Sequence, residues 1–262
     1  MNPFLLPVAA IALVYILILY LNERYNLLSA DRFASPGAKI GAYVTLGIFM
    51  LLIALLVTGS SLKTPTAKEL AATPFYRLFA LHMILVVFLI LWWALTGRPR
   101  AGEYLNIRRE RAGEAVMTGF AVGFGGWLAT IAALLLIGLL LTAAGAMPKN
   151  PQPSPLIGYM AALPVWKKTL IVASAMTVEE AFFRGWLQKR VGLVVSTLLF
   201  AVAHSGFGQP LLLVGVFIIS VIIGFTFYRT KNLIPGIVAH GVFDAIQLFV
   251  IIPLMFRMMG LG

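Results

Sequence analysis

The sequence predicts an all-α integral membrane protein of about eight transmembrane helices with an intramembrane polar site in its C-terminal half. Three observations carry this reading. The chain is 61% hydrophobic and only 11% charged, with a mean hydropathy of +0.96, far from the composition of a soluble domain. Its apolar runs repeat at about 20 residues, the length that crosses the hydrocarbon core of a bilayer, and short polar breaks separate them. Charged and imidazole side chains then interrupt the last of these runs, where each is costly and marks a functional site by default.

The runs lie near residues 3–21, 40–58, 75–96, 116–144, 168–189, 191–207, 210–229 and 233–256. The first has neither a basic leader nor a small-residue cleavage site after it, and reads as an uncleaved span. The third carries His82, which has no polar neighbour in sequence and is read as a packing residue. The fourth is the longest and holds Gly119, Gly123, Gly125 and Gly126, small residues that let helices approach closely. The GxxxG spacing of Gly119 and Gly123 is read as internal packing rather than a dimerisation face. Residues 148–155, with four prolines, form a semi-rigid extended linker. Leu156 to Trp166 is too short to cross and is expected in the interface, anchored by Tyr159 and Trp166. The chain thus divides into four N-terminal spans (1–147), a linker and interfacial segment (148–167) and a four-span core (168–262). No internal repeat suggests a transporter of inverted halves.

The formal charge of +11 would point to nucleic acid in a soluble protein. Here Lys and Arg sit mainly in the breaks, as topology signals and contacts for anionic lipid head groups. Alternating the breaks gives one side Arg24, Arg32, Lys39, Arg98, Arg100, Arg108, Arg109, Arg111, Lys189, Arg190, Arg229 and Lys231. The other side receives Lys63, Lys68, Lys149, Lys167, Lys168 and Arg257. The positive-inside rule then places both termini outside the cytoplasm of what reads as a prokaryotic cytoplasmic membrane. The absence of cysteine removes disulfides, thiolate metal sites and cysteine nucleophiles, leaving Glu, Asp, His, Ser and Thr to carry any chemistry.

The fifth run carries Glu179, Glu180 and Arg184 near its middle. Each charge costs roughly 2.5 to 3.5 kcal/mol at a helix centre, while the run's Leu, Ile, Val and Phe residues together return only about 2 to 4. This helix cannot face lipid all round. Glu180 and Arg184, spaced i to i+4 with the acid first, suit a helical ion pair. Glu179 points about 100° away and is free to face another helix. His204 ends the sixth run, His240 lies within the eighth, and Asp244 follows His240 by one turn. An acid, two imidazoles and a second acid can converge there to hold and deprotonate a water and to stabilise an oxyanion.

These residues fall in three motifs. Glu179-Glu180-Ala181-Phe182-Phe183-Arg184 matches EExxxR, Phe200-Ala201-Val202-Ala203-His204 matches FxxxH, and His240-Gly241-Val242-Phe243-Asp244 takes the place of HxxxN with Asp for Asn. In order and spacing the chain resembles the CPBP family, which holds the CAAX prenyl proteases and the bacteriocin-processing or immunity-related (Abi) membrane proteins. The resemblance covers Leu170 to Gln247, with Leu105 to Gly126 similar to the family's basic lead-in to a Gly-rich span. It implies an intramembrane endopeptidase acting on a membrane-associated peptide or protein. By position Glu179 and His204 would activate water, His240 and residue 244 would stabilise the oxyanion, and Glu180 with Arg184 would support the fifth helix. An ionised Asp244 would repel an oxyanion, so three roles stay open for it: a protonated acid, a residue that orients His240, or a metal ligand. Glu179, His204 and His240 also form a His₂Glu set of the kind that holds catalytic zinc, although HExxH is absent; a metal-free mechanism is favoured. A proton- or ion-coupled transporter and a non-catalytic membrane scaffold are the competing classes. Neither substrate identity nor oligomeric state is legible.

Overall fold

A computed structural model describes residues 5–25, 32–62, 65–147 and 154–260. Every regular element in them is helical, as lipid demands of a chain that must satisfy its own backbone. Helices α1 (Leu5–Tyr25) and α2 (Pro36–Leu62) are followed by α3 (Ala80–Leu95), entered through a 3₁₀ turn, and α4 (Ala112–Ala143). A short helix α5 (Pro155–Ala162) precedes α6 (Val165–Ser174), which continues as two π-helical stretches, Ala175–Glu179 and Ala181–Gln188. Then come α7 (Lys189–Ala203), α8 (Pro210–Thr230) and α9 (Leu233–Ala245), the last extended by a π stretch, Ile246–Ile251, and a final turn to Met258.

Six helical stretches among the described residues are long and apolar enough to cross a membrane, and the first of the eight expected runs begins outside the described residues. One of them, Val165–Ala203, contains both the fifth and the sixth predicted runs in 39 residues. No loop parts the two runs. The chain turns at Gly192, whose φ of 78° only glycine adopts readily, and α7 then packs back on the π stretch. Ser196 Oγ donates to Phe183 O at 2.8 Å, a pair that a straight helix would hold about 20 Å apart. The predicted interfacial segment ends early, because Pro164 separates α5 from α6 and passes Val165 and Trp166 to the longer helix. Residues 148–153 of the predicted linker lie outside the described residues, and Pro155 already stands in the first turn of α5.

The bundle is apolar outside and polar within. Leu139, Val194 and Ile40 are among the large aliphatic side chains that stand exposed, at 69%, 70% and 66%, whereas Glu180 and Ser220 are fully buried. This inversion marks a multi-pass integral membrane protein. The N-terminal helices join the rest through an aromatic cluster in which Phe88 and Trp92 of α3 meet Trp186 at centroid distances of 4.7 and 5.1 Å. The basic breaks meet at one end, where Lys189 Nζ donates to Asn106 Oδ1 at 3.2 Å and Asn232 exchanges hydrogen bonds with the Arg108 backbone, each 3.1 Å.

Helix α4 lies along α9 through its glycines. A Cβ at Gly123 would stand 2.7 Å from Ala239 O and 2.8 Å from Val242 Cβ, and one at Gly119 would stand 2.8 Å from Pro235 O. The GxxxG pair therefore packs inside the chain. Gly125, on the other face, has open space around it. We expect Gly123→Ala to cost about 1–3 kcal/mol through overpacking, while Gly125→Ala is neutral or gains up to about 1 kcal/mol from helix propensity. Thermal unfolding of the two variants in detergent micelles separates these outcomes.

Candidate active site

The sequence places two acids side by side, and the helix sends them to different partners. Glu180 is wholly buried and faces α8 and α9. Its Oε1 lies 3.2 Å from Arg184 NH1 and 2.9 Å from His240 Nδ1. Arg184, 1% exposed, carries the contact onward: its NH2 donates to Ser220 Oγ at 2.9 Å and to Ser220 O at 3.2 Å. His240 Nε2 lies 3.3 Å from Asp244 Oδ2, one turn along α9. Both ring nitrogens of His240 thus face carboxylates.

Glu179 turns instead toward α3 and the end of α7. Its Oε1 is 2.9 Å from His82 Nε2, and its Oε2 is 3.7 Å from His204 Nε2. That Oε2 is buried and has no hydrogen-bond partner within the protein. His204 Nδ1 lies 2.8 Å from Phe200 O. A carbonyl only accepts, so Nδ1 donates to it. Glu179 Oε2 and His204 Nε2 therefore stand side by side.

These side chains meet in two groups rather than one. Glu179 with His204 forms one group and Glu180, Arg184, His240 and Asp244 a second, the two joined by adjacent positions on one helix and by the Phe200 ring. Phe200 stacks on His204 at 4.5 Å, meets His240 edge-on at 5.9 Å and carries the Arg184 guanidinium 4.5 Å above its face. The first residue of FxxxH is therefore the wedge that sets two imidazoles and a guanidinium. Access comes from the far end of α7: the side chains of His204 and Asp244 are 20% and 30% exposed. A cavity of about 560 Å³ lies elsewhere, at the basic end between Gln188, Lys189, Gly192 and Lys231.

Two readings from sequence change here. His82, taken as a packing residue, hydrogen-bonds Glu179 across 97 positions of sequence and also meets Ser174 Oγ at 2.7 Å. No spacing could have shown this. The one available signal was the cost of an isolated imidazole inside an apolar span. The zinc set of Glu179, His204 and His240 does not fit, because both nitrogens of His240 are committed to carboxylates. No group of three or more His, Asp or Glu among the described residues is arranged to hold a metal ion.

Removing one partner of a buried ion pair strands the other. Arg184→Ala is expected to destabilise by about 3–5 kcal/mol, and Ser220→Ala, which removes one hydrogen bond to a charged group, by about 1.5–3. Thermal unfolding midpoints of the purified variants give the order.

Residues 161–246, a third of the chain, match the model of the type II CAAX prenyl endopeptidase Rce1-like family. That stretch contains Glu179, Glu180, Arg184, His204, His240 and Asp244, and excludes His82. The chain is also similar to an uncharacterized protein of Bacillus subtilis (strain 168), YpbD, at 38% identity over 79 residues. That alignment covers 30% of this chain and 40% of the relative, so the chain spans well under half of the curated relative it matches. No solved structure matches.

Proposed function

We propose that this protein is an intramembrane endopeptidase that hydrolyses a peptide bond of a membrane-associated protein or peptide. The observation that carries the proposal is the juxtaposition of Glu179 Oε2 and His204 Nε2, 3.7 Å apart. In the proposed resting state Nε2 is unprotonated and both atoms accept. A water can donate one hydrogen to each, which leaves its oxygen lone pair directed at a substrate carbonyl. On attack the new C–O bond forms and one water proton passes to the Glu179–His204 pair. The tetrahedral intermediate then collapses, the C–N bond breaks, and the same pair returns a proton to the leaving amine. A carboxylic acid and an amine result.

His240 is the donor for the oxyanion. Of its two acceptors Asp244 is the more distant, at 3.3 Å against 2.9 Å for Glu180, and the more exposed. A developing oxyanion therefore competes with Asp244 for the Nε2 proton while Glu180 keeps the ring in place. Asp244 takes the orienting role, and Glu180 with Arg184 supports it. The partial family match adds a substrate class to test, a protein ending in a prenylated CAAX sequence.

Cleavage of an internally quenched farnesylated CAAX peptide, beside its unprenylated counterpart, by the purified protein in liposomes tests the reading. Glu179→Gln and His204→Ala should each lower turnover by about 10²–10⁴-fold, with no loss on adding a chelator to the wild type. Asp244→Asn should keep turnover within about tenfold, since an amide oxygen still accepts from His240. Equal turnover in wild type, Glu179→Gln and His204→Ala would overturn the assignment.

A further inference from the structure

We infer that His82, backed by Ser174, is a positioning residue that clamps Glu179 and selects which of its oxygens meets the water. The inference rests on the peptidase reading of Glu179. It also makes the site composite: the four residues placed at the chemistry come from the C-terminal half, whereas the clamp comes from α3.

The direction of the hydrogen bonds follows from the groups themselves. An ionised carboxylate only accepts, so the 2.9 Å contact requires a proton on His82 Nε2. In the neutral ring Nδ1 accepts from the Ser174 hydroxyl across the 2.7 Å contact. Ser174 then donates to His82 and His82 to Glu179. With Oε1 occupied, only Oε2 is turned toward His204. A free carboxyl could rotate and present either oxygen; the clamped one cannot.

The helix is built to permit this. Residues five apart on a regular α-helix lie about 140° from one another, so Ser174 and Glu179 would point to different neighbours. Between them the chain runs as a π-helical turn, Ala175–Glu179, whose i to i+5 closure brings the two onto one face. A single imidazole can then touch both, one nitrogen each. Phe79, at a centroid distance of 6.1 Å from His82, flanks the ring, and the His82 side chain is 13% exposed. The π turn thus has a chemical use: it aligns the serine and the glutamate for one clamp.

The test uses the full chain in liposomes with the farnesylated CAAX peptide, and compares His82→Phe, His82→Gln and Ser174→Ala with Glu179→Gln and His204→Ala. Phenylalanine keeps ring volume without a donor, and should lower kcat about 100-fold at unchanged KM, the scale of an ångström of misplacement. Glutamine restores an N–H toward Oε1 and should recover at least about tenfold of that loss. Wild-type kcat in His82→Phe, beside loss in Glu179→Gln and His204→Ala, would overturn the clamp and leave the peptidase reading intact. Equal inactivity of the Phe and Gln variants would likewise reduce His82 to packing and overturn it.

A second readout does not depend on turnover. In protein labelled with ¹⁵N-histidine, the His82 resonances, assigned by their loss in His82→Gln, should show the Nε2-protonated form. Ser174→Ala should move the Nδ1 signal and Glu179→Gln the Nε2 signal. If cleavage proves indifferent to Glu179 and His204, this spectrum still decides the clamp: both shifts sustain it, and unchanged signals refute it.

Discussion

Glu180 is the point on which the rest of the bundle closes. It has no exposed surface, and its single oxygen Oε1 lies within 3.2 Å of two cationic groups, the Arg184 guanidinium and the His240 ring. Lipid outside the bundle offers such a group nothing, so its burial is tolerable only where partners surround it. Those partners come from different helices: Arg184 from its own, with Ser220 of α8 behind it, and His240 from α9. The contacts of this one oxygen thus tie α6, α8 and α9 to one another. Helix α9 rests in turn on the glycine face of α4. Gly236 adds the local room, since a Cβ there would stand 3.1 Å from Glu180 Oε2. The constraint that assembles the C-terminal half is the same one that orients His240.

What the sequence revealed and what it hid follow from the range of each interaction. The membrane class is written in composition and run length. The Glu180–Arg184 pair is written in i, i+4 spacing, as is His240 with Asp244. Glu179 and His204 were paired from residue type and motif order, and lie 3.7 Å apart. The count of spans was less legible, because a hydropathy break and a turn at Gly192 look alike in sequence and differ in the φ that one glycine adopts. The His82 contact was hidden because its partner is 97 residues away, and because the geometry that admits it is a π turn with no sequence signature of its own. The division of the polar residues into two groups was equally unreadable: adjacency of Glu179 and Glu180 says that they diverge, but not toward which helix each goes.

Asp244 gains a physical meaning from this arrangement. A doubly protonated ring between Asp244 and Glu180 would bring Glu180, Asp244, Arg184 and His240 to zero net charge. An asparagine there would reach the same sum only with a neutral ring. In the proposed chemistry position 244 thus sets how His240 is held, rather than simply facing substrate. The conflict between an anionic side chain and an anionic intermediate is softened because the carboxylate reaches the reaction centre through a cation. In the proposed chemistry the oxyanion takes over a proton donor that Asp244 has already aligned, so the ring need not reorganise as charge develops.

The proposed clamp extends the same logic to the N-terminal half. Glu179 is as little able as Glu180 to stand alone in a dry interior, at 7% exposure, yet it has no arginine beside it. Its neighbours are two imidazoles: His204, with Nε2 3.7 Å from one oxygen, and His82, which donates to the other. That asymmetry is useful, because a carboxylate paired with a full cation holds its lone pairs less readily available to a water than one held by a neutral donor. In the proposed chemistry Glu180, ion-paired with the arginine, serves structure, and Glu179 serves the reaction. The neutral donor has to come from somewhere, and on this bundle it comes from α3, pinned through Phe88 and Trp92 onto Trp186 of the same helix that carries Glu179. The aromatic cluster thus does more than attach the N-terminal helices: it sets the distance across which His82 can reach.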